Sequence, residues 1–133
     1  MPIVAFDHVN IRTNRLAEMT GWYERILGLK AGPRPDFGFP GAWLYLGDVA
    51  LVHLVETPVQ LDAGAATAQL EHFAFTASGM AGFLALLERE GIPVRLVRVA
   101  APAGDVVQVN IHDPDGNHIH VDFPGAEADA LGL

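Results

Sequence analysis

The chain contains two copies of one stretch of sequence, and this repetition limits the folds that it can adopt. The first copy reads FDHVNIRTNRLAEMTGWYERILGLKAG and the second reads LEHFAFTASGMAGFLALLEREGIPVR. His8 and His72 take the same place in the two copies, and His53 and His120 form a second pair after one small insertion. Isolated surface histidines have no reason to fall in register, so the pattern indicates a duplicated unit with a metal pocket built from the repeat.

Composition excludes several classes of partner and ligand. The chain has 133 residues, half of them hydrophobic, which predicts one domain over residues 1–133 with a substantial core. A net charge of −8 opposes binding to nucleic acid and to anionic lipid. There is no cysteine, so the chain has no disulfides, and any metal must be held by nitrogen and oxygen atoms.

The N-terminal sequence, MPIVAFDHVN, lacks a basic segment followed by an apolar one, and no uncharged stretch is long enough to cross a bilayer. We therefore expect a soluble, cytoplasmic protein without a membrane partner.

The first copy predicts a β-α-β-β-β order. Residues from Ile3 to Arg12 alternate between polar and apolar, which is the period of a half-buried strand. Asn14 is predicted to cap a helix that ends at Gly28. A Pro- and Gly-rich loop follows, and then a hairpin that turns at Gly47.

The second copy repeats this order. An alternating strand over Gln69–Ala77 leads to a helix that Ser78 is predicted to cap. Strands are then expected at Val94–Val99, Asp105–His112 and His118–Phe123, with a tight DPDGN turn before the last one.

These patterns predict an α+β fold of two tandem βαβββ modules. Module one covers about residues 3–56 and module two covers residues 69–123. A linker of turn formers and small residues joins them at 57–68, and a tail at 124–133 is expected to fray or to pack on a partner.

The last two strands of the second module offer a polar face. His118, His120 and Asp122 share one side of the final strand, and Gln108 and Asn110 form a second polar stripe beside them. We expect this side to line a pocket in which Gln108 and Asn110 bind substrate. The histidines that flank the turn, at positions 112 and 118, are expected to be exposed.

The first module offers further substrate-binding candidates. Arg12 could bind an anionic group of a substrate or simply lie in solvent. Trp43 and Tyr45 share a strand face and could stack on a substrate or belong to the core. The loop with Phe37 and Phe39 could close as a lid or serve as an ordered connection.

Taken together, several segments resemble the vicinal oxygen chelate superfamily, which includes glyoxalase I, extradiol dioxygenases and bleomycin-resistance proteins. The segments are the HVNI and HFAF strand openings, WYERILGL, FGFPGAWLYLGD and DPDGNHIHVDF, and they extend over nearly the whole chain. The resemblance implies a cup of two curved sheets with one divalent metal at its floor. Carried over to this chain, the ligand positions are His8, His53, His72 and His120, although His53 could instead be a buried histidine satisfied by the backbone.

One position departs from the superfamily pattern. Enzymes of this type usually place a glutamate where this chain has His120. An all-imidazole set leaves a divalent ion with its full charge, which favours Lewis-acid chemistry and suits zinc, nickel, cobalt or iron. Histidine can move a proton near neutral pH, so His120 is the predicted catalytic residue.

Three functions follow from the resemblance. The first is a metal-dependent lyase or isomerase that chelates two neighbouring oxygens of a small substrate. The second is a ring-cleaving extradiol dioxygenase, and the third is a protein that binds a small molecule without chemistry, as in drug resistance. A homodimer is expected, although exposed sheet edges allow the cup to close either within one chain or across a dimer.

Overall fold

The computed structural model describes residues 5–61, 70, 72–100 and 104–133. The chain divides into two compact units, Met1–Ala63 and Gly64–Leu133, and each is described by itself. Both have the order β-α-β-β-β, so the predicted α+β fold with two such modules is confirmed. Within the described residues, every helix is too short or too polar to cross a membrane.

The first unit is a four-stranded sheet with one helix. The strand order is β1-β4-β3-β2, in which β1 and β4 run parallel and the other neighbours antiparallel. The helix buries Met19, Tyr23 and Ile26 on the side that packs on the sheet, where Leu44 and Leu54 are fully buried. The elements are β1 (Val9–Thr13), α1 (Leu16–Leu27), β2 (Lys30–Gly32), β3 (Gly41–Leu46) and β4 (Val49–Glu56).

The start of α1 differs from the prediction. Asn14 does not cap the helix, whose N-cap residue is Arg15. The Asn14 side chain instead donates to the carbonyl oxygens of Thr57 and Val59 and accepts from the backbone N–H of Leu61. The prediction of a cap at Asn14 was therefore wrong, because contacts with the segment after β4 take up its amide.

Two glycine positions agree with the sequence analysis. Gly28 ends α1 in the left-handed conformation, with φ of 70°. Gly47 lies in the turn between β3 and β4 with φ of 58°. Both positions need a positive φ, which glycine adopts without a steric cost.

Several strand limits differ from those predicted. The expected strand Ile3–Arg12 begins only at Val9 among the described residues, so His8 precedes β1, and residues 1–4 lie outside the described part. The β-α-β-β-β order requires the strand β2, but its position was not located from the sequence because three residues are too few to display a period. The predicted linker 57–68 lies outside the described residues from position 62 onward.

The second unit is also a four-stranded sheet, with two helices. Its order is β5-β8-β7-β6, in which β5 and β8 run parallel. One face of β7 and β8 is apolar and buried, and α2 packs there through Phe83, whose ring lies 5.6 Å from that of Phe123. The elements are β5 (His72–Thr76), α2 (Met80–Arg89), β6 (Arg95–Val99), β7 (Val106–His112), β8 (His118–Pro124) and α3 (Gly125–Ala130).

The C-terminal segment forms the helix α3, so the prediction that the tail frays was wrong, whereas packing of the tail on a partner stays a prediction. Ala128 of α3 is fully buried, and Asp129 forms a 2.7 Å ion pair with Arg98.

The prediction of a cap at Ser78 was wrong as well. The Glu127 carboxylate accepts from the backbone N–H groups of Gly79 and Met80 at 2.9 and 2.6 Å, and so supplies the cap of α2 from the other helix.

We expect Glu127→Ala to lower the free energy of unfolding by about 1–2 kcal/mol, because the first N–H groups of α2 lose a charged acceptor. Urea denaturation measures this change. Glu88→Ala is the matched control, since it removes an exposed carboxylate within α2 that does not cap the helix. Equal destabilisation in the two variants would show that Glu127 has no capping role.

Candidate functional site

The first unit brings His8 and His53 together. Their rings stack with centroids 3.8 Å apart and planes inclined by 8°. Trp43 of β3 lies opposite His53 in the sheet, and its ring stacks on His53 at 4.1 Å and 16°. Because β3 and the N-terminal segment flank β4 on opposite sides, His53 is held between an indole and an imidazole.

Each imidazole in this stack has one nitrogen engaged. His53 donates through Nε2 to the carbonyl oxygen of Ala50 at 3.1 Å, and His8 Nδ1 bonds Asp7 at 2.6 Å. Burial, followed by the nearby His8, lowers the pKa of His53 against the opposing effects of the Ala50 carbonyl and Asp7. A lowered pKa keeps His53 neutral, which is the protonation state that a metal ligand requires.

The stacked rings are not arranged to share an ion. A metal lies close to the plane of the imidazole that binds it, and two parallel planes do not meet. His8 is exposed and precedes β1, so its side chain is the one that can rotate. His53 Nε2 is also hydrogen-bonded to a backbone carbonyl. This contact agrees with the alternative prediction that His53 is a buried histidine satisfied by the backbone and not a metal ligand.

The second unit places His120 against a carboxylate. His120 Nδ1 and Asp122 Oδ1 are 2.5 Å apart, and only 7% of His120 is exposed. The Asp122 carboxylate therefore accepts the Nδ1–H, which leaves Nε2 with its lone pair. The ring of His72 lies 4.6 Å from that of His120. The alternation of the strand places Asp122 on the same face as His120, but its contact with His120 was not predicted, although the i, i+2 spacing of the two residues was the available signal.

His118 was predicted to be exposed, and this was wrong because it is half-buried among other polar side chains. It lies opposite His72 on one side and His112 on the other. Its Nε2 donates to the Asn110 side-chain oxygen at 2.7 Å. The alternation of β8 predicted the correct face for His118. Its neighbours could not be predicted in this way, because they depend on the register of β5, β7 and β8. His112 is exposed, as predicted.

The predicted substrate-binding residues lie in different surroundings. Arg12 is exposed on β1, and Gln108 is half-buried opposite Asp122. The Tyr45 hydroxyl donates to the carbonyl oxygen of Pro33. Asn110 is 5% exposed, and its amide bonds other parts of the sheet. The polar atoms of Tyr45 and Asn110 are thus already hydrogen-bonded to other groups of the protein.

The loop between β2 and β3 is anchored by aromatic contacts. Phe37 and Phe39 stack at 5.5 Å, and the Arg34 guanidinium lies 4.9 and 5.1 Å from their ring centres. Phe37 also lies 6.2 Å from Trp43. These contacts favour the ordered connection over the lid.

The donor chemistry fits a divalent transition metal, although no complete ligand set is assembled. Within residues 5–61, 70, 72–100 and 104–133, no three His, Cys, Asp or Glu side chains are grouped as a metal site. Each unit nevertheless brings two of the four predicted ligand histidines close together, and imidazole is a preferred ligand of zinc, nickel, cobalt and iron. The Asp122 contact to His120 is the carboxylate support that metal-binding histidines commonly have.

Comparison with known protein families gives a match over most of the chain. The model of the Glyoxalase/Bleomycin resistance protein/Dioxygenase superfamily matches residues 5–121. The chain belongs to this superfamily. The resemblance stated from sequence is therefore confirmed.

Three similar proteins illustrate the match. Glyoxylase I 4 of Arabidopsis thaliana is 28% identical over 123 residues, which are 90% of this chain and 70% of the relative. A Bacillus anthracis structure described as a glyoxalase family protein is 25% identical with a TM-score of 0.72, covering 92% of this chain and 96% of the other. The lactoylglutathione lyase structure from Agrobacterium tumefaciens is 20% identical with a TM-score of 0.65, covering 94% and 97%, and shows the shared fold alone.

Proposed function

We propose that the protein is a metal-dependent enzyme of the lyase or isomerase type that binds two neighbouring oxygens of a small substrate. The observation that carries the proposal is the hydrogen-bonded pair of the buried His120 and the half-buried Asp122 beside His72. The proposed ligands are His8, His53, His72 and His120, a set taken from the register of the repeat and supported in the second unit by the proximity of His72 to His120. In the first unit, His8 would have to rotate out of its stack with His53 to bind the same ion. A bound zinc, nickel, cobalt or iron ion would polarise a substrate carbonyl and stabilise the enolate formed from it.

The chain's own residues prepare His120 for this role. Asp122 holds the Nδ1–H of His120, which fixes the tautomer and the orientation of the ring. The carboxylate also makes Nε2 a better electron donor. Nε2 is therefore the atom at which His120 can bind an ion or hold a substrate proton. Because only 7% of His120 is exposed, the ring is largely surrounded by protein, which strengthens its electrostatic interactions.

The first unit contributes a surface for binding. The ring of Trp43 lies beside that of Phe37, which stacks on Phe39, and both phenylalanines are about half exposed. A flat part of a substrate can stack there, and Arg12 of the same unit can bind an anionic group of the substrate. Gln108 remains a proposed substrate-binding residue of the second unit.

The same aromatic surface supports a second candidate function, the binding of a small molecule without chemistry. Stacking on Trp43 and Phe37 needs no metal, and such a protein would bind its ligand equally well after chelator treatment. The ring-cleaving dioxygenase remains the third candidate, with iron and oxygen uptake as its distinguishing properties.

Elemental analysis tests the proposal. We expect untagged protein, purified without chelator and incubated with Zn²⁺, Ni²⁺, Co²⁺ or Fe²⁺, to retain about one ion per chain after gel filtration. His72→Ala should lose that ion because it removes a ligand, and His112→Ala should keep it. His112 is the matched control, as an exposed histidine of the same sheet. A native protein that retains no ion, or a His72→Ala variant that retains it fully, would overturn the proposal.

We also propose that the enzyme is a cytoplasmic homodimer. The edge strand β6 supports the dimer, because Leu96 and Val99 are both 37% exposed on it. Sedimentation equilibrium measures the mass in solution, and a monomer at micromolar concentration would contradict this assembly.

A further inference from the structure

A depression in the second unit is lined, among the described residues, by basic side chains and by no carboxylate. Its volume is about 430 Å³. The register sets Arg95 of β6 opposite Asn110 of β7, and His112 of β7 opposite His118 of β8. Basic side chains therefore come from three adjacent strands, and Arg95 is the one that carries a permanent charge. The lining residues are Pro93, Val94, Arg95, Asn110, His112 and His118.

Arg95 differs from the other arginine of the same strand. Arg98 points to the opposite side of β6 and forms ion pairs with Asp129 at 2.7 Å and Asp105 at 3.5 Å. Arg95 has no ion pair with any carboxylate in the described part of the chain. The protein has 16 acidic residues for 8 basic ones, so an unpaired guanidinium at a depression is not explained by a shortage of partners.

Asn110 holds this site in place before any ligand arrives. Its Nδ2 donates to the carbonyl oxygens of Arg95 and Gln108 at 3.2 and 3.4 Å. Its Oδ1 accepts from His118 Nε2, and the ring of His112 stacks on His118 with centroids 5.2 Å apart. Asn110 thus connects the backbone at Arg95 to the imidazole of His118, which reduces the entropy that these groups lose on binding.

We propose that this depression binds the oxyanion group of a small molecule, a carboxylate or a phosphate. Arg95 is the charged anchor, and its planar guanidinium matches the two oxygens of such a group. His112 and His118 form the wall. The ring of His118 lies 6.1 Å from that of His120, so a bound anion would be held next to the proposed catalytic histidine. The site lies wholly within the second unit and needs no metal to form.

The test uses metal-free full-length protein with ring-labelled histidine. Benzoate and inorganic phosphate are titrated separately while the histidine C–H signals are followed by NMR. We expect the signals of His112 and His118 to shift saturably with at least one probe. Arg95→Gln should weaken that binding about tenfold, as the loss of one hydrogen-bonded charge pair implies, and Arg95→Lys by less. Arg89→Gln, an equal change of charge on the exposed end of α2, should leave binding unchanged.

The outcomes separate the two oxyanions and separate this site from the proposed function. Saturation by benzoate alone assigns a carboxylate, saturation by phosphate alone assigns a phosphate, and saturation by both supports a general oxyanion site. The absence of saturable shifts, or equal weakening by Arg95→Gln and Arg89→Gln, would overturn the proposal. A protein that binds a probe through Arg95 but never retains a metal would support this site and reject the metalloenzyme. A protein that retains a metal but binds neither probe through Arg95 would reject only this site.

Discussion

His120→Ala is expected to lower the affinity of the protein for Co²⁺ by more than about 100-fold, and Asp122→Asn by about 10- to 100-fold. His120→Ala removes a proposed ligand atom altogether. Asp122→Asn keeps the ligand but replaces the carboxylate 2.5 Å from Nδ1 with a neutral amide, which makes Nε2 a weaker donor and releases the ring. Competition with a metal indicator gives the affinity, and the visible absorption of bound Co²⁺ reports the donor atoms.

The order of these two effects distinguishes a supporting role from a ligand role for Asp122. His112→Ala should keep the wild-type affinity, since His112 is exposed and has no place in the proposed ligand set. Near-ultraviolet circular dichroism confirms that the packing of each variant is intact. Wild-type affinity in His120→Ala would reject His120 as a ligand. A loss in Asp122→Asn that exceeds the loss in His120→Ala would mean that Asp122 acts by itself.

Gly41→Ala is expected to lower the free energy of unfolding by about 3 kcal/mol. A Cβ at this position would lie 2.4 Å from the carbonyl oxygen of Leu54 and 2.7 Å from Nη2 of Arg34. The first contact is the more costly, because Leu54 belongs to the backbone of β4, the strand paired with β3. Relief would require the two strands to separate and the pairing near His53 to weaken. Urea denaturation measures the change.

Gly82→Ala is the matched control. Gly82 lies inside α2, and a Cβ there meets no atom within 4 Å. Alanine should stabilise the helix by about 0.5–1 kcal/mol, because it restricts the unfolded chain and favours helical dihedrals. The two glycine variants are therefore expected to change stability in opposite directions. A neutral Gly41→Ala would show that β3 and β4 tolerate a side chain at their contact.

Features that depend on neighbouring residues could be predicted from the sequence. Gly28 ends α1 and Gly47 lies in the hairpin turn because a positive φ is a local requirement that glycine meets. The two helix starts could not be predicted in the same way. The acceptor for α2 is Glu127, which lies 48 residues from Gly79 in the chain, and Asn14 bonds carbonyls more than 40 residues away. Such contacts exist only after the chain has folded.

The candidate site likewise has local features that could be predicted and long-range contacts that could not. Strand alternation placed His120 and Asp122 on one face, which was sufficient to find the residues. It could not show that His118 lies between His72 and His112, because this depends on how β5, β7 and β8 are aligned. The metal ligand set remains a prediction, since the repeat names the four histidines and the structure brings them together only as one pair within each unit.

The two copies of the repeat have become chemically unequal at their matching positions. His53 donates to a neutral backbone carbonyl and is covered on both faces by rings, whereas His120 donates to a carboxylate. Equivalent places in a duplicated sequence thus hold a weak and a strong electron donor. A chain assembled from two first copies would have two weak donors, and one assembled from two second copies would have two strong ones. The divergence between the halves, rather than the duplication itself, gives the natural protein one donor of each kind.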